Sequence, residues 1–250
     1  MNRTTAPAFR YPRFFAHRGG GALAPENTLA GLRLAARLGF CGVEFDVMLS
    51  KDGTPVLIHD ETLERTTDGV GRVAQSSLLE LRRLDAGGRF HRAYANEPIP
   101  TLEEALACCH DLGLCANIEI KPAAGFAAET GAAVGSMVAG RAAQDSGLTT
   151  LLSSFSEEAL AAAREYSPAS PRALLVDAIP PDWQARLHSL DCLGLHCAAS
   201  HLTQESASAL VAAGVPFACY TVNHVAAAAL LFDLGAAALF TDRLDLFAPR

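Results

Sequence analysis

Short apolar runs alternate with longer helix-like stretches along the whole 250-residue chain, and this alternation constrains the fold more than any other feature. Strands are predicted at 13–17, 43–49, 115–120, 150–153, 172–176, 192–195, 216–222 and 238–241. Helices are predicted at 28–38, 102–112, 129–144, 157–166, 181–190, 204–213, 225–234 and 243–247. Asn27 can cap the first helix and Gly39 can end it, while Thr101 and Glu104 form a capping box for the second. Strands joined through helices run parallel, because each crossover returns the chain to the same end of the sheet. Eight such steps in about 250 residues is the usual content of a closed (β/α)8 TIM barrel, here a single domain over 1–250. An open doubly wound sheet holds the same elements and stays open as an alternative.

One stretch exceeds what a minimal unit needs. After the second strand, Ser50-Lys51-Asp52-Gly53 has hairpin-turn chemistry and leads into an extended run at 55–59. Residues 60–100 then precede the next helix, whereas βα loops usually take ~2–6 residues. A tolerated surface insertion would account for the length. A cap over the barrel mouth accounts for it better, since loops at the strands' C-terminal ends build the site in this fold. The spacing of Leu78, Leu79, Leu81 and Leu84 predicts that the insertion, between strand 2 and helix 2, is ordered.

Polar residues interrupt the apolar strands in one place. Glu44 and Asp46 are two apart on the second strand and so share a face, as do Glu119 and Lys121 on the third. His17 closes the first strand and is followed by Arg18. In a barrel these residues meet at one rim. Two carboxylates ~5 Å apart repel by about 3 kcal/mol at an effective dielectric near 20. Three such pairs approach ~10 kcal/mol, comparable with a domain's whole margin of about 5–15 kcal/mol. A solvated strand face or an ordinary charge pair explains either motif alone, but not both inside buried strands. Oxygen ligands suit a hard cation, so Glu44, Asp46 and Glu119 are predicted to hold one divalent ion, Mg2+ or Ca2+. The absence of His and Cys from the trio argues against zinc. His59 ends the extended run, so His17 and His59 can stand on either side of a phosphate, with Arg18 and Lys121 supplying positive charge. His196, at a predicted strand end, is a weaker candidate for touching substrate.

Composition removes other classes. A net charge of −7 and a pI near 5.6 disfavour nucleic acid and anionic lipid as partners. Residues 1–12 carry arginines but no apolar stretch of signal-peptide length, and the greasiest run, 225–240, is broken by Asp233 and Gly235. Seven cysteines without a CxxC pair read as reduced thiols, which points to a cytoplasmic location without stable membrane insertion. Gly19-x-Gly21-x-x-Ala24 matches a dinucleotide fingerprint, but Pro25-Glu26-Asn27 separates it from the helix that such a fingerprint must open.

Taken together, the chain resembles the glycerophosphodiester phosphodiesterases. The resemblance rests on AHRGGGALAPENTLAG (16–31), VEFDVMLSKDGTPVLIHDETLERTTDG (43–69), NIEIKP (117–122), LSSF (152–155), YTVN (220–223) and FTDRLD (240–245). It is nearest to the bacterial cytosolic branch linked to glycerol-phosphate uptake. It implies a (β/α)8 barrel whose small inserted domain falls on 60–100. It also implies metal ligands at Glu44, Asp46 and Glu119, acid/base histidines at His17 and His59, and phosphate contacts at Arg18 and Lys121. Tyr220 and Leu244 depart from the family, many of whose members carry Trp and Pro there; Tyr220 stands where glycerol or the headgroup can pack.

The expected reaction is metal-dependent hydrolysis of a small-molecule glycerophosphodiester, such as glycerophosphocholine or glycerophosphoethanolamine, to sn-glycerol 3-phosphate and an alcohol. His17 takes a proton from water or the neighbouring glycerol hydroxyl and His59 protonates the leaving alkoxide, or the two roles are exchanged. Two alternatives remain: a lysophospholipase D, with Phe90, Phe126 and Phe155 lining an apolar groove, and a non-catalytic barrel that binds glycerol phosphates.

Overall fold

Eight strands run parallel and close on themselves in the computed structural model, which describes residues 9–144 and 147–248. The strands in chain order are β1 (Phe14–Ala16), β2 (Gly42–Leu49), β3 (Pro55–Leu57), β4 (Cys115–Ile120), β5 (Thr150–Ser154), β6 (Arg172–Val176), β7 (Gly194–Ala198), β8 (Phe217–Tyr220) and β9 (Ala238–Thr241). β1 pairs with β9 on one side and, through Ala16 and Val43, with β2 on the other, so the sheet is a closed barrel and the open doubly wound alternative falls away. β3 is the one antiparallel member, folding back on β2 through the turn at Gly53, whose φ of +77° is left-handed.

The helices are α1 (Leu29–Arg37), α2 (Leu78–Leu81), α3 (Leu102–Leu112), α4 (Ala127–Gln144), α5 (Glu157–Tyr166), α6 (Trp183–Leu190), α7 (Gln204–Ala212), α8 (Val225–Asp233) and α9 (Leu244–Phe247). Thr101 and Glu104 cap α3 as expected. α1 differs: Thr28, not Asn27, accepts from Gly31 N and caps it, because Asn27 sits at φ +56° with its side chain committed elsewhere. β7 also begins later than predicted. Asp191 ends α6 in a left-handed conformation, and Cys192 and Leu193 are spent on the turn before Gly194 opens the strand.

Alternation along the strands sorts the core into two layers. Phe15 and Phe240 stack inside the barrel with ring centroids 4.9 Å apart, beside Ala218 and Ala238, and His196 lies against them. Outward-facing Val43, Phe45, Val47, Ile118, Leu152, Leu174 and Leu195 pack against the helices. Residues 60–100 are ordered by a third apolar cluster in which Leu63, Val73, Leu81 and Ile99 join Met48, Val56 and Ile58 of the β2–β3 hairpin. Of the predicted leucines, Leu78, Leu81 and Leu84 pack into this cluster and Leu79 points to solvent. Among the described residues no helix is long and apolar enough to cross a membrane.

Candidate active site at the barrel mouth

The strand register gathers the acidic residues. Glu44 and Asp46 point into the barrel from β2, and the β2–β4 pairing sets Asn117 beside Glu44 and Glu119 beside Asp46. Oxygens of Glu44, Asp46 and Glu119 lie within 4.8 Å of one another. The first two are buried, at 3% and 2% exposure. The Arg18 backbone N–H donates to Glu44 Oε2 at 2.9 Å. Asn27 clamps Asp46 from both ends, its Nδ2 donating to Oδ2 at 2.8 Å and its Oδ1 accepting from the Asp46 N–H at 3.0 Å. Glu44 Oε1 is buried without a partner. Burial, then the Asp46 carboxylate, pushes Glu44 up to about 7. Burial with Asp46 and Glu44 beside it raises Glu119 well above the usual carboxylate range. A cluster this crowded, with an unpartnered buried oxygen on Glu44, fits a divalent cation chemically.

The two histidines flank the cluster, each held by its own carboxylate. His17 Nδ1–H donates to Asp242 Oδ1 at 2.7 Å, leaving Nε2 3.9 Å from Glu44 Oε2. His59 Nδ1–H donates to Asp60 Oδ1 at 2.6 Å, and its Nε2 accepts from Lys121 Nζ. Burial opposes charge on both rings. For His17 the hydrogen bond to Asp242 and the charge on Glu44 outweigh burial, and its pKa rises. For His59 burial prevails and its pKa falls. The surroundings thus shift His17 toward the charged form and His59 toward the neutral form.

Positive charge comes from Arg18, whose Nε is 3.7 Å from Asp46 Oδ2, and from Lys121, whose Nζ is 3.7 Å from Asp46 Oδ1 and 3.9 Å from Glu119 Oε1. Arg18 Nη1 also donates to Glu26 Oε1 at 2.9 Å. Arg65, from the inserted segment, grips both oxygens of Glu26 at 2.7 and 2.9 Å and reaches Asp60 through Nε. A continuous chain therefore joins His59, Asp60, Arg65, Glu26 and Arg18.

An adjoining cleft of about 300 Å³, its open mouth included, is lined by His17, Glu44, Asn117, Glu119, Phe155, Leu175, Tyr220 and Phe240. The Tyr220 ring faces Phe155 edge-on at 6.0 Å, and its hydroxyl is turned away to donate to Val176 O at 2.8 Å. Phe155 lines this cleft; Phe90 and Phe126 are exposed but do not. His196 does not reach it either. It lies in mid-strand, fully buried, with Nε2 3.2 Å from the Tyr11 hydroxyl, and belongs to the barrel core.

All eight predicted site residues thus come together at one mouth. Asn27, Asp60, Asp242, Glu26 and Arg65 went unassigned from sequence. Asp242 follows β9 at the same rim, and Asp60 adjoins His59, so the strand-end rule that found His17 would have found both. The glycines of the decoy fingerprint serve packing here: a Cβ on Gly21 would stand 2.4 Å from Asp242 O, and beyond the single 3-10 turn at Gly21–Leu23 the α-helix starts only at Leu29.

The profile of the glycerophosphoryl diester phosphodiesterase family matches residues 17–246. A glycerophosphodiester phosphodiesterase of Caldanaerobacter subterraneus is 49% identical over 106 residues, which is 42% of this chain and 44% of that protein. One from Bacillus subtilis is 29% identical over 250 residues, covering 93% of this chain and 84% of that one. The chain thus spans less than half of the Caldanaerobacter relative, and a bovine relative is matched over 33% of its length. An Oleispira antarctica phosphodiesterase, solved with the product sn-glycerol-3-phosphate, is 42% identical with a TM-score of 0.88 over 92% of this chain and 93% of that one. The chain is therefore a member of the glycerophosphoryl diester phosphodiesterase family.

Proposed function

We propose that this protein hydrolyses glycerophosphodiesters such as glycerophosphocholine to sn-glycerol 3-phosphate and an alcohol, with one Mg2+ or Ca2+ held by Glu44, Asp46 and Glu119. The observation that carries this reading is the pair of imidazoles, each steered by a carboxylate, on either side of a buried three-carboxylate cluster. When bound, the cation supplies positive charge against the charge that builds on phosphate oxygens. Arg18 and Lys121 orient the phosphate through its non-bridging oxygens. Lys121 Nζ donates to His59 Nε2. A phosphate that takes over this donor frees Nε2 to exchange a proton with the reacting oxygen. His17 and His59 divide the two proton transfers, and the opposite directions in which their surroundings shift the two rings suit an acid paired with a base. Tyr220 and Phe155 pack against the glycerol or the headgroup. Residues 60–100 act as a cap over the mouth, tied to it by Arg65. All seven cysteines are free thiols, which supports a cytoplasmic setting.

Incubation of the purified protein with glycerophosphocholine, followed by enzymatic assay of glycerol 3-phosphate, tests the proposal. Wild-type protein should release it, and His17→Ala and His59→Ala should each lose about 10²–10⁴-fold while keeping the fold. Near-wild-type turnover by either variant would remove the acid/base assignment. Faster release from a lysophospholipid would favour the lysophospholipase D reading, and binding without product would favour a non-catalytic barrel.

A further inference from the structure

Asn117 sits two residues before Glu119 on β4, one layer deeper in the barrel, and is 1% exposed. Its Nδ2 donates to Ser153 Oγ at 2.9 Å, which fixes the plane of the amide. Its Oδ1 has no partner, although Asn117 lines the cleft beside Glu44 and Glu119. An unpaired buried carbonyl is costly, and buried acceptors are almost always satisfied. The rest of that side of the cleft cannot satisfy it. Leu175, Phe240 and Phe155 carry no donor, and the Tyr220 hydroxyl is already given to Val176 O. With a cation held between them, the carboxylates of Glu44 and Glu119 would be ionised and act as acceptors only. An O–H donor brought in by the ligand would complete this site.

We propose that Asn117 is a specificity-determining residue whose amide oxygen accepts a hydrogen bond from a hydroxyl of the substrate's glycerol moiety. This rests on the reading of the cleft as a glycerol-phosphate site and adds a recognition element to it. The glycerol unit carries hydroxyls, and Leu175, Phe240 and Phe155 on that side of the cleft offer them no polar partner. An amide acceptor not committed to the cation therefore helps separate a glycerol ester from an alkyl ester of similar size.

The test is calorimetric binding of sn-glycerol 3-phosphate and of n-propyl phosphate, which has the same carbon count but no hydroxyl, to Mg2+-loaded protein. The quantity read is the ratio of the two dissociation constants within one preparation, which is insensitive to the fraction of protein that is folded. Asn117→Leu should reduce the preference for sn-glycerol 3-phosphate by about tenfold relative to wild type, the order expected for one lost hydrogen bond. Ser153→Ala, which frees the amide to rotate without removing it, should shift the ratio in the same direction by less. A ratio in Asn117→Leu within twofold of wild type would overturn the assignment, and so would equal weakening of both ligands. Wild-type protein that binds neither ligand would overturn the glycerol-phosphate reading and this inference with it. Binding with the expected ratios but no turnover would sink the hydrolytic reading alone.

Discussion

Asp60 and Asp242 have equivalent tasks at the mouth: each holds Nδ1–H of a histidine, which turns Nε2 toward Lys121 in His59 and toward Glu44 in His17. Replacing either with Asn keeps the shape but removes the charge that favours this tautomer. Asp60→Asn and Asp242→Asn should each lower kcat tenfold or more with a smaller change in KM; unchanged kcat would reduce the carboxylates to bystanders. His196 gives a separate, structural prediction. Burial lowers its pKa from 6.5 to about 3. Between those values the unfolded chain binds a proton that the folded chain refuses. This contribution to stability is therefore complete above about 6.5 and is lost as pH falls toward 3, by up to ~1.4 kcal/mol per pH unit. Denaturant titrations from pH 7 to 4 should show wild type losing stability faster than His196→Gln. Parallel curves would contradict the buried neutral ring. Residues on strand faces were legible because a period of two sets their direction. Asn27 was not: Asn and Thr both make good caps, and only the distant Asp46 decides that Thr28 caps α1 while Asn27 turns to the site.

Elements with sharp punctuation were read from sequence to their boundaries. α3 lies between its capping box and Gly113, and α5 follows Ser156, whose side chain caps it. β7 was misplaced because Cys192 and Leu193 are apolar turn residues and look like strand. That error carried His196 from mid-strand to an apparent strand end. Long-range packing left only a faint trace in sequence. α4 and α5 approach closely because Gly131 and Gly135 lack a Cβ; at Gly131 one would stand 2.2 Å from Ala159 O. Gly131→Ala should force the helices apart and cost about 1–3 kcal/mol, despite the better helix propensity of Ala. A neutral or stabilised variant in thermal melts would contradict that packing. The inserted segment is held at the mouth partly through Arg65. Arg65→Ala should lower kcat and increase proteolytic nicking within residues 60–100, and Arg65→Lys, lacking the two-pronged grip, should recover only part of either. Wild-type proteolysis and turnover in Arg65→Ala would leave the clamp without a role.

At the scale of the whole molecule, eight strand–helix units and a rim of charge in an apolar barrel were both visible in the sequence, because both are periodic. The chain joining His59 to Arg18 was not, since Glu26 and Arg65 lie 39 residues apart and only the closed barrel brings them together. The same closure crowds three carboxylates, and this sets function against stability. Without a cation, Glu44→Gln should stabilise the fold by roughly 1–3 kcal/mol at neutral pH, because it replaces a carboxylate that burial and Asp46 already drive toward the protonated state. With saturating cation the order should reverse, wild type gaining from binding and the variant not. Most direct is calorimetric titration of Mg2+ and Ca2+ into chelator-treated protein. One ion should bind per chain, and Glu44→Gln, Asp46→Asn and Glu119→Gln should each weaken it at least tenfold. Absence of binding at millimolar cation, or binding untouched by all three substitutions, would contradict a metal centre at this mouth.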